Sequence, residues 1–131
     1  MNKVQASITN IASQDKVTLV SFAVGNVYLE MVSLGVSEQL VQGSGVCVGI
    51  KATNIALSQT KLEGVSITNQ LETTITAIEV GSLLCCVAFS FEGVVWESVI
   101  TKASRIEMQL QVGQKIIALI KSSDLSIVEV L

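Results

Sequence analysis

The sequence contains no histidine and no proline, few aromatic residues (4%) and few charged ones (15%). Each shortage removes a class of function. Without histidine, the commonest general base and nitrogen ligand for metals is missing. Acidic residues occur singly, and neither a glycine-rich phosphate loop nor a serine elbow is present, so nothing supports an enzyme. Eight basic residues are scattered among eleven acidic ones, for a formal charge of −3. That balance excludes an electrostatic footprint for nucleic acid, and the scarcity of aromatics excludes a base-stacking platform. The three cysteines, Cys47, Cys85 and Cys86, are odd in number and lack metal-type spacing. They read as reduced core thiols, with no protein side chain acting as a direct metal ligand. No basic-then-apolar leader opens the sequence, which predicts a cytoplasmic protein. The most membrane-like stretch, Val17 to Val36, is interrupted by Gly25-Asn26 and carries Glu30, so a hairpin is expected rather than a membrane span.

What remains is a β-rich chain. Half of its 131 residues are hydrophobic, and the mean hydropathy is +0.63. That is more apolar surface than small separate domains hide, which predicts a buried subunit interface. Valine, isoleucine and threonine are abundant and glycines punctuate the apolar runs, as in all-β chains. Met1 to Ala12 alternates as a strand, Val17 to Val24 and Val27 to Val32 form a hairpin about Gly25-Asn26, and Leu34 to Leu40 is read as a helical turn. Cys47 to Lys51 and Ile55 to Leu57 then complete five strands.

The chain repeats itself. An offset of 67 positions (75 − 8) aligns Asn2 with Asn69, Ile8-Thr9 with Ile75-Thr76, Phe22 with Phe89, Glu30 with Glu97 and Ser37 with Ser104. Past that point the offset becomes 70 (121 − 51) and superposes Gly43 on Gly113 and Ile50-Lys51 on Ile120-Lys121. The extra residues fall in the helical turn. The expected organisation is therefore a first unit over residues 1–58, a linker over 59–66 and a second unit over 67–131. The fold class is all-β, as two tandem OB-like five-stranded barrels, each with a short helix between its third and fourth strands.

The polar residues of this repeat point to one kind of ligand. The run Val46 to Ile50 ends in Lys51-Ala52-Thr53, and Ile116 to Ile120 ends in Lys121-Ser122. One cation with small donors at a strand exit suits a compact anion, whose oxygens only accept hydrogen bonds. Lys51 and Lys121 could equally be strand-end lysines reaching for water, but their repetition at equivalent positions favours function. Ser66-Ile67-Thr68-Asn69-Gln70 enters the second unit's first strand, and Ile100-Thr101-Lys102-Ala103-Ser104 enters its helix. For Asn69 and Gln70 a structural role is expected, and Trp96, Phe22, Phe89 and Phe91 are expected in the core.

With these motifs in this order, the sequence resembles the molbindin family of tandem Mop/TOBE-type molybdate-binding domains. Family units carry an S-x-R-N-Q opening, an I-T-x-x-S helix entry and an I-K-A/S strand exit. The resemblance implies cytoplasmic binding of molybdate or tungstate at subunit interfaces for storage or homeostasis, without catalysis or an organic cofactor. It implies a homo-oligomer, specifically a trimer, since single-unit members form hexamers. It implies no nucleic-acid or membrane partner. The alternative is an oxyanion-sensing regulatory or transporter accessory domain acting through a protein partner. By position, the oxyanion-binding candidates are Ser66, Thr68, Thr101, Ser104, Lys121 and Ser122 in the second unit, and Ser37, Lys51, Ala52 and Thr53 in the first. Two departures stand out: Thr68 occupies the family's arginine position, and Leu34 replaces the threonine of the helix entry.

Overall fold

The structure, a computed structural model, describes residues 1–35 and 40–131. Two five-stranded antiparallel sheets account for most of the chain. The first contains β1 (Asn2–Gln14), β2 (Val17–Val24), β3 (Val27–Leu34) and β4 (Gly45–Ile50); a 3-10 turn, Ala52–Asn54, and a short β5 (Ala56–Ser58) follow. The second contains β6 (Asn69–Val80), β7 (Leu84–Phe91), β8 (Val94–Thr101) and β9 (Lys115–Ile120), with helix α1 (Lys102–Met108) between β8 and β9 and β10 (Ser126–Val130) at the end. Of the helical turn expected over Leu34 to Leu40, residues 36–39 lie outside the described residues. Leu34 itself is the last residue of β3.

The repeat is legible in the backbone. β1 buries Asn2, Val4, Ala6 and Ile8 on one face, and β6 buries Asn69, Leu71, Thr73 and Ile75 at matching positions. Each long strand breaks register at the same place, between Ile8 and Asn10 and between Ile75 and Ala77. A glycine in the left-handed region closes each bulge: the N–H groups of Gly43 (φ +90°) and Gly113 (φ +90°) donate to the carbonyls of Ile8 and Ile75 at 2.7 and 2.8 Å. A bulge sharpens the local twist, which bends both long strands so that their sheets can curl.

The fifth strands differ from the sequence expectation. The strand order is β10-β4-β1-β2-β3 in one sheet and β5-β9-β6-β7-β8 in the other. β5, which follows the first four strands, pairs with β9 (Leu57 opposite Ala118), and β10 returns to pair with β4 (Ile127 opposite Val48). The two units therefore exchange their last strands. One core accordingly spans both sheets, packing Phe22, Val46 and Ile50 with Phe89, Trp96 and Ile120. All four aromatic residues expected inside are buried, and Cys85 is buried as well, while Cys47 and Cys86 are only half-buried.

A reciprocal amide clasp ties the sheets together. The Asn2 side chain donates to the carbonyl of Glu97 (2.8 Å) and accepts from its N–H (2.9 Å). Asn69 does the same with Glu30, at 2.8 Å in each direction. Both asparagines are buried, so deleting either amide strands a backbone donor and acceptor. Asn69→Ala is expected to cost about 1–3 kcal/mol, measurable as a fall in the urea midpoint, and Asn2→Ala should match it.

Cys86 gives a pH-dependent prediction. Burial, a hydrogen bond to the Glu97 carboxylate and the nearby charges of Glu97 and Glu79 push its thiol from an ordinary 9.0 up to about 11. The folded value lies above the unfolded one, so this stabilising contribution is full below pH 9 and lost as pH rises toward 11. At pH 8 the thiolate fraction should be about a hundredfold below that of the unfolded chain. Alkylation rates followed by mass spectrometry, native against denatured, check this.

Candidate functional site

The two lysines sit where the buried fourth strands reach solvent. In β9 all five residues from Ile116 to Ile120 are buried, so Lys121 is the first position free to carry a charge. A tight turn follows, closed by the N–H of Asp124 donating to the Lys121 carbonyl at 3.0 Å. β4 ends alike: the N–H of Asn54 donates to the Lys51 carbonyl at 2.9 Å, with Ala52 and Thr53 in the 3-10 turn. Lys51, Thr53 and Lys121 are exposed, and Ala52 and Ser122 are half-buried.

Each turn packs on the other sheet. The carbonyl of Ser122 accepts from the N–H of Val32 on β3 at 3.0 Å. The 3-10 turn lies against β8, where the buried hydroxyl of Ser98 donates to the Ile55 carbonyl at 2.6 Å. Every strand-exit turn is thus built from both halves of the chain. The unit entry joins the Lys121 turn: Thr68 precedes Asn69, which pairs with Ile120, and the Thr68 and Ser122 hydroxyls meet at 3.2 Å. Ser66 lies two residues earlier on an exposed bend. Gln70 fastens that segment, accepting from the Leu62 N–H at 2.8 Å and donating to the carbonyls of Leu62 and Ile67. Lys121, Ser122 and Thr68 therefore form one cluster with a cation and two hydroxyls.

Thr101 and Ser104 form another. Thr101 caps α1, its hydroxyl oxygen accepting from the Ser104 N–H at 3.1 Å while the two hydroxyls meet at 2.9 Å. In the sheet, Thr101 pairs with Leu84 at the far end of β7, whereas Lys121 follows Ile120 at the start of β6. β6 and β7 separate the two clusters, so the second unit does not gather its six candidates at one point. The exposed side chains of Leu83 (80%) and Leu84 (53%) flank Thr101, and the Leu83 carbonyl accepts from the N–H of Lys102 at 2.8 Å. Ser37 lies outside the described residues. Among those residues no group of three or more Cys, Asp or Glu could hold a metal ion, and no helix is long and apolar enough to cross a membrane.

Sequence reasoning missed the partners of the two turns. The bond from Val32 to Ser122 runs between backbones, and the strand pairing that brings these segments together leaves no local signature. It did register Asn69, whose structural role the clasp now defines.

Residues 65–127 match the TOBE domain, a span just under half the chain that includes Ser66, Thr68, Thr101, Ser104, Lys121 and Ser122. The structure then superposes on a crystal structure of the cytoplasmic molybdate-binding protein ModG, in a PEG-grown form with molybdate bound. The TM-score is 0.90, the identity 24%, and the match covers 95% of this chain and 93% of that one. A comparison with curated proteins finds no match.

Proposed function

We propose that this chain is a cytoplasmic molybdate- or tungstate-binding protein of two OB-like units. It serves storage or homeostasis, carries out no catalysis and holds the oxyanion at interfaces of a homotrimer. The observation that carries this reading is the near full-length likeness to molybdate-loaded ModG, with Lys121, Ser122 and Thr68 clustered inside the TOBE-matched span.

The separation of the clusters supports the interface. Burying a dianion requires donors on all sides. Neither Lys121-Ser122-Thr68 nor Thr101-Ser104 encloses a ligand alone, since both lie largely at the surface. A second copy bringing its Thr101 end against a Lys121 end would close a cage, and would bury the exposed Leu83 and Leu84 in the same step. Selectivity against sulfate then rests on cage size, because charge and tetrahedral shape are shared.

Calorimetric titration with molybdate, tungstate, sulfate and phosphate, beside native mass measurement, tests this reading. Saturable molybdate or tungstate binding that sulfate and phosphate do not displace is expected, with a trimer mass. Failure of molybdate and tungstate to bind a folded oligomer would overturn it. A protein captured only in the presence of oxyanion would instead favour a sensing domain that acts through that partner.

A further inference from the structure

The repeat supplies an internal control for the outer faces of the two sheets. On the second sheet, Thr74 of β6 is directly opposite Lys115 of β9 and Ser90 of β7. Paired residues on neighbouring antiparallel strands share a face at about 5 Å, so the three side chains form one row. They line an open cleft of about 400 Å³ together with Gln59 and Glu72. Glu72 is engaged by Lys61 at 3.6 Å, whereas Lys115 has no ion-pair partner among the described residues. The Gln59 amide is anchored through the Met108 carbonyl at 2.8 Å.

The equivalent row of the first sheet is Gly45, Ser7 and Ala23. Its hollow, about 270 Å³, has no basic residue in its lining. There Leu131 closes over Gly45, its N–H donating to the Gly45 carbonyl at 2.9 Å. The same backbone therefore forms without the lysine and with only one of the two hydroxyls. Packing does not demand the Lys115-Thr74-Ser90 row.

We propose that this cleft is a second anion site, distinct from the Lys51 and Lys121 turns, and that it takes the phosphate or carboxylate group of a small organic molecule. Lys115 supplies the charge, and the Thr74 and Ser90 hydroxyls are donors to oxygens that only accept. Lys61 lies outside the lining but pairs with Glu72, so Lys61, Glu72 and Lys115 together carry one net positive charge. Its volume lies in the range of small-molecule sites rather than that of a bare ion, which leaves room for the body that bears the anionic group.

The test is an amide chemical-shift titration of the full chain, run without molybdate and again with a stoichiometric amount that fills tight oxyanion sites but leaves a millimolar cleft open. The probes are inorganic phosphate, a sugar phosphate and a dicarboxylate, each taken to about 20 mM, well above a millimolar Kd. Saturable shifts confined to Thr74, Ser90, Lys115 and their neighbours are expected, weakened at least tenfold in Lys115→Gln and less in Ser90→Ala. A response to the sugar phosphate alone or to the dicarboxylate alone would identify the group. Three outcomes would each overturn the proposal: no saturable shift with any probe, shifts spread over the surface, or shifts unchanged in a folded Lys115→Gln protein.

Discussion

Trp96→Ala is expected to lower the unfolding free energy by about 3–5 kcal/mol, the range for emptying a large aromatic site in a packed core. Trp96 is 1% exposed, packs edge-on against Phe91 at a centroid distance of 5.0 Å and donates its indole N–H to the Lys3 carbonyl at 3.0 Å. It belongs to β8 of the second sheet, while Lys3 belongs to β1 of the first. The loss is therefore felt in both halves. Because the core is shared and the last strands are exchanged, neither half can open without exposing the other, so urea unfolding should remain one transition with an unchanged slope. Trp96→Phe keeps most of the apolar contact but strands the Lys3 carbonyl, and should cost about 1–3 kcal/mol. Two resolved transitions, or an alanine variant as stable as the parent, would rule out the shared core.

The sequence reveals the strands because burial alternates along them. It reveals the repeat because both copies keep the residues that close the bulges and make the clasp: Gly43 and Gly113, whose N–H groups bond across the bulges, and Asn2 and Asn69, whose amides hold the backbones of Glu97 and Glu30. The destination of the fifth strands is hidden for a physical reason. β5 and β10 join their sheets through backbone hydrogen bonds, which carry no side-chain identity, and either pairing satisfies the same repeat. Leu57 would meet a buried apolar partner at Val48 as readily as at Ala118. The division of the candidate residues is hidden for a related reason. Motif order along the chain names Thr68, Thr101 and Lys121, but only strand direction shows that Thr101 ends β8 at the opposite end of the sheet from Lys121. The Lys115-Thr74-Ser90 row escapes a motif search because its members come from three strands, yet aligning the copies would have exposed it as Gly45, Ser7 and Ala23.

Lys121→Ala is expected to weaken molybdate binding roughly thirtyfold or more, the scale for removing a charge-assisted donor from an anion. Its effect on stability should be small, because Lys121 is exposed and its turn is held by backbone bonds to Asp124 and Val32 that the substitution leaves intact. Affinity and melting temperature should therefore separate, which distinguishes a binding role from a strand-end lysine that merely reaches water. Lys51→Ala supplies the comparison within the same molecule. Its turn carries Ala52 where the second copy has Ser122, and the first unit has Leu34 where the second has the capping Thr101. If each turn contributes to its own site, Lys121→Ala should remove the tighter class of sites and Lys51→Ala the weaker, so that stoichiometry as well as affinity changes in calorimetry. Equal small effects from both substitutions, with sulfate competing freely, would show that the strand-exit turns hold no oxyanion and that the lysines serve only the surface.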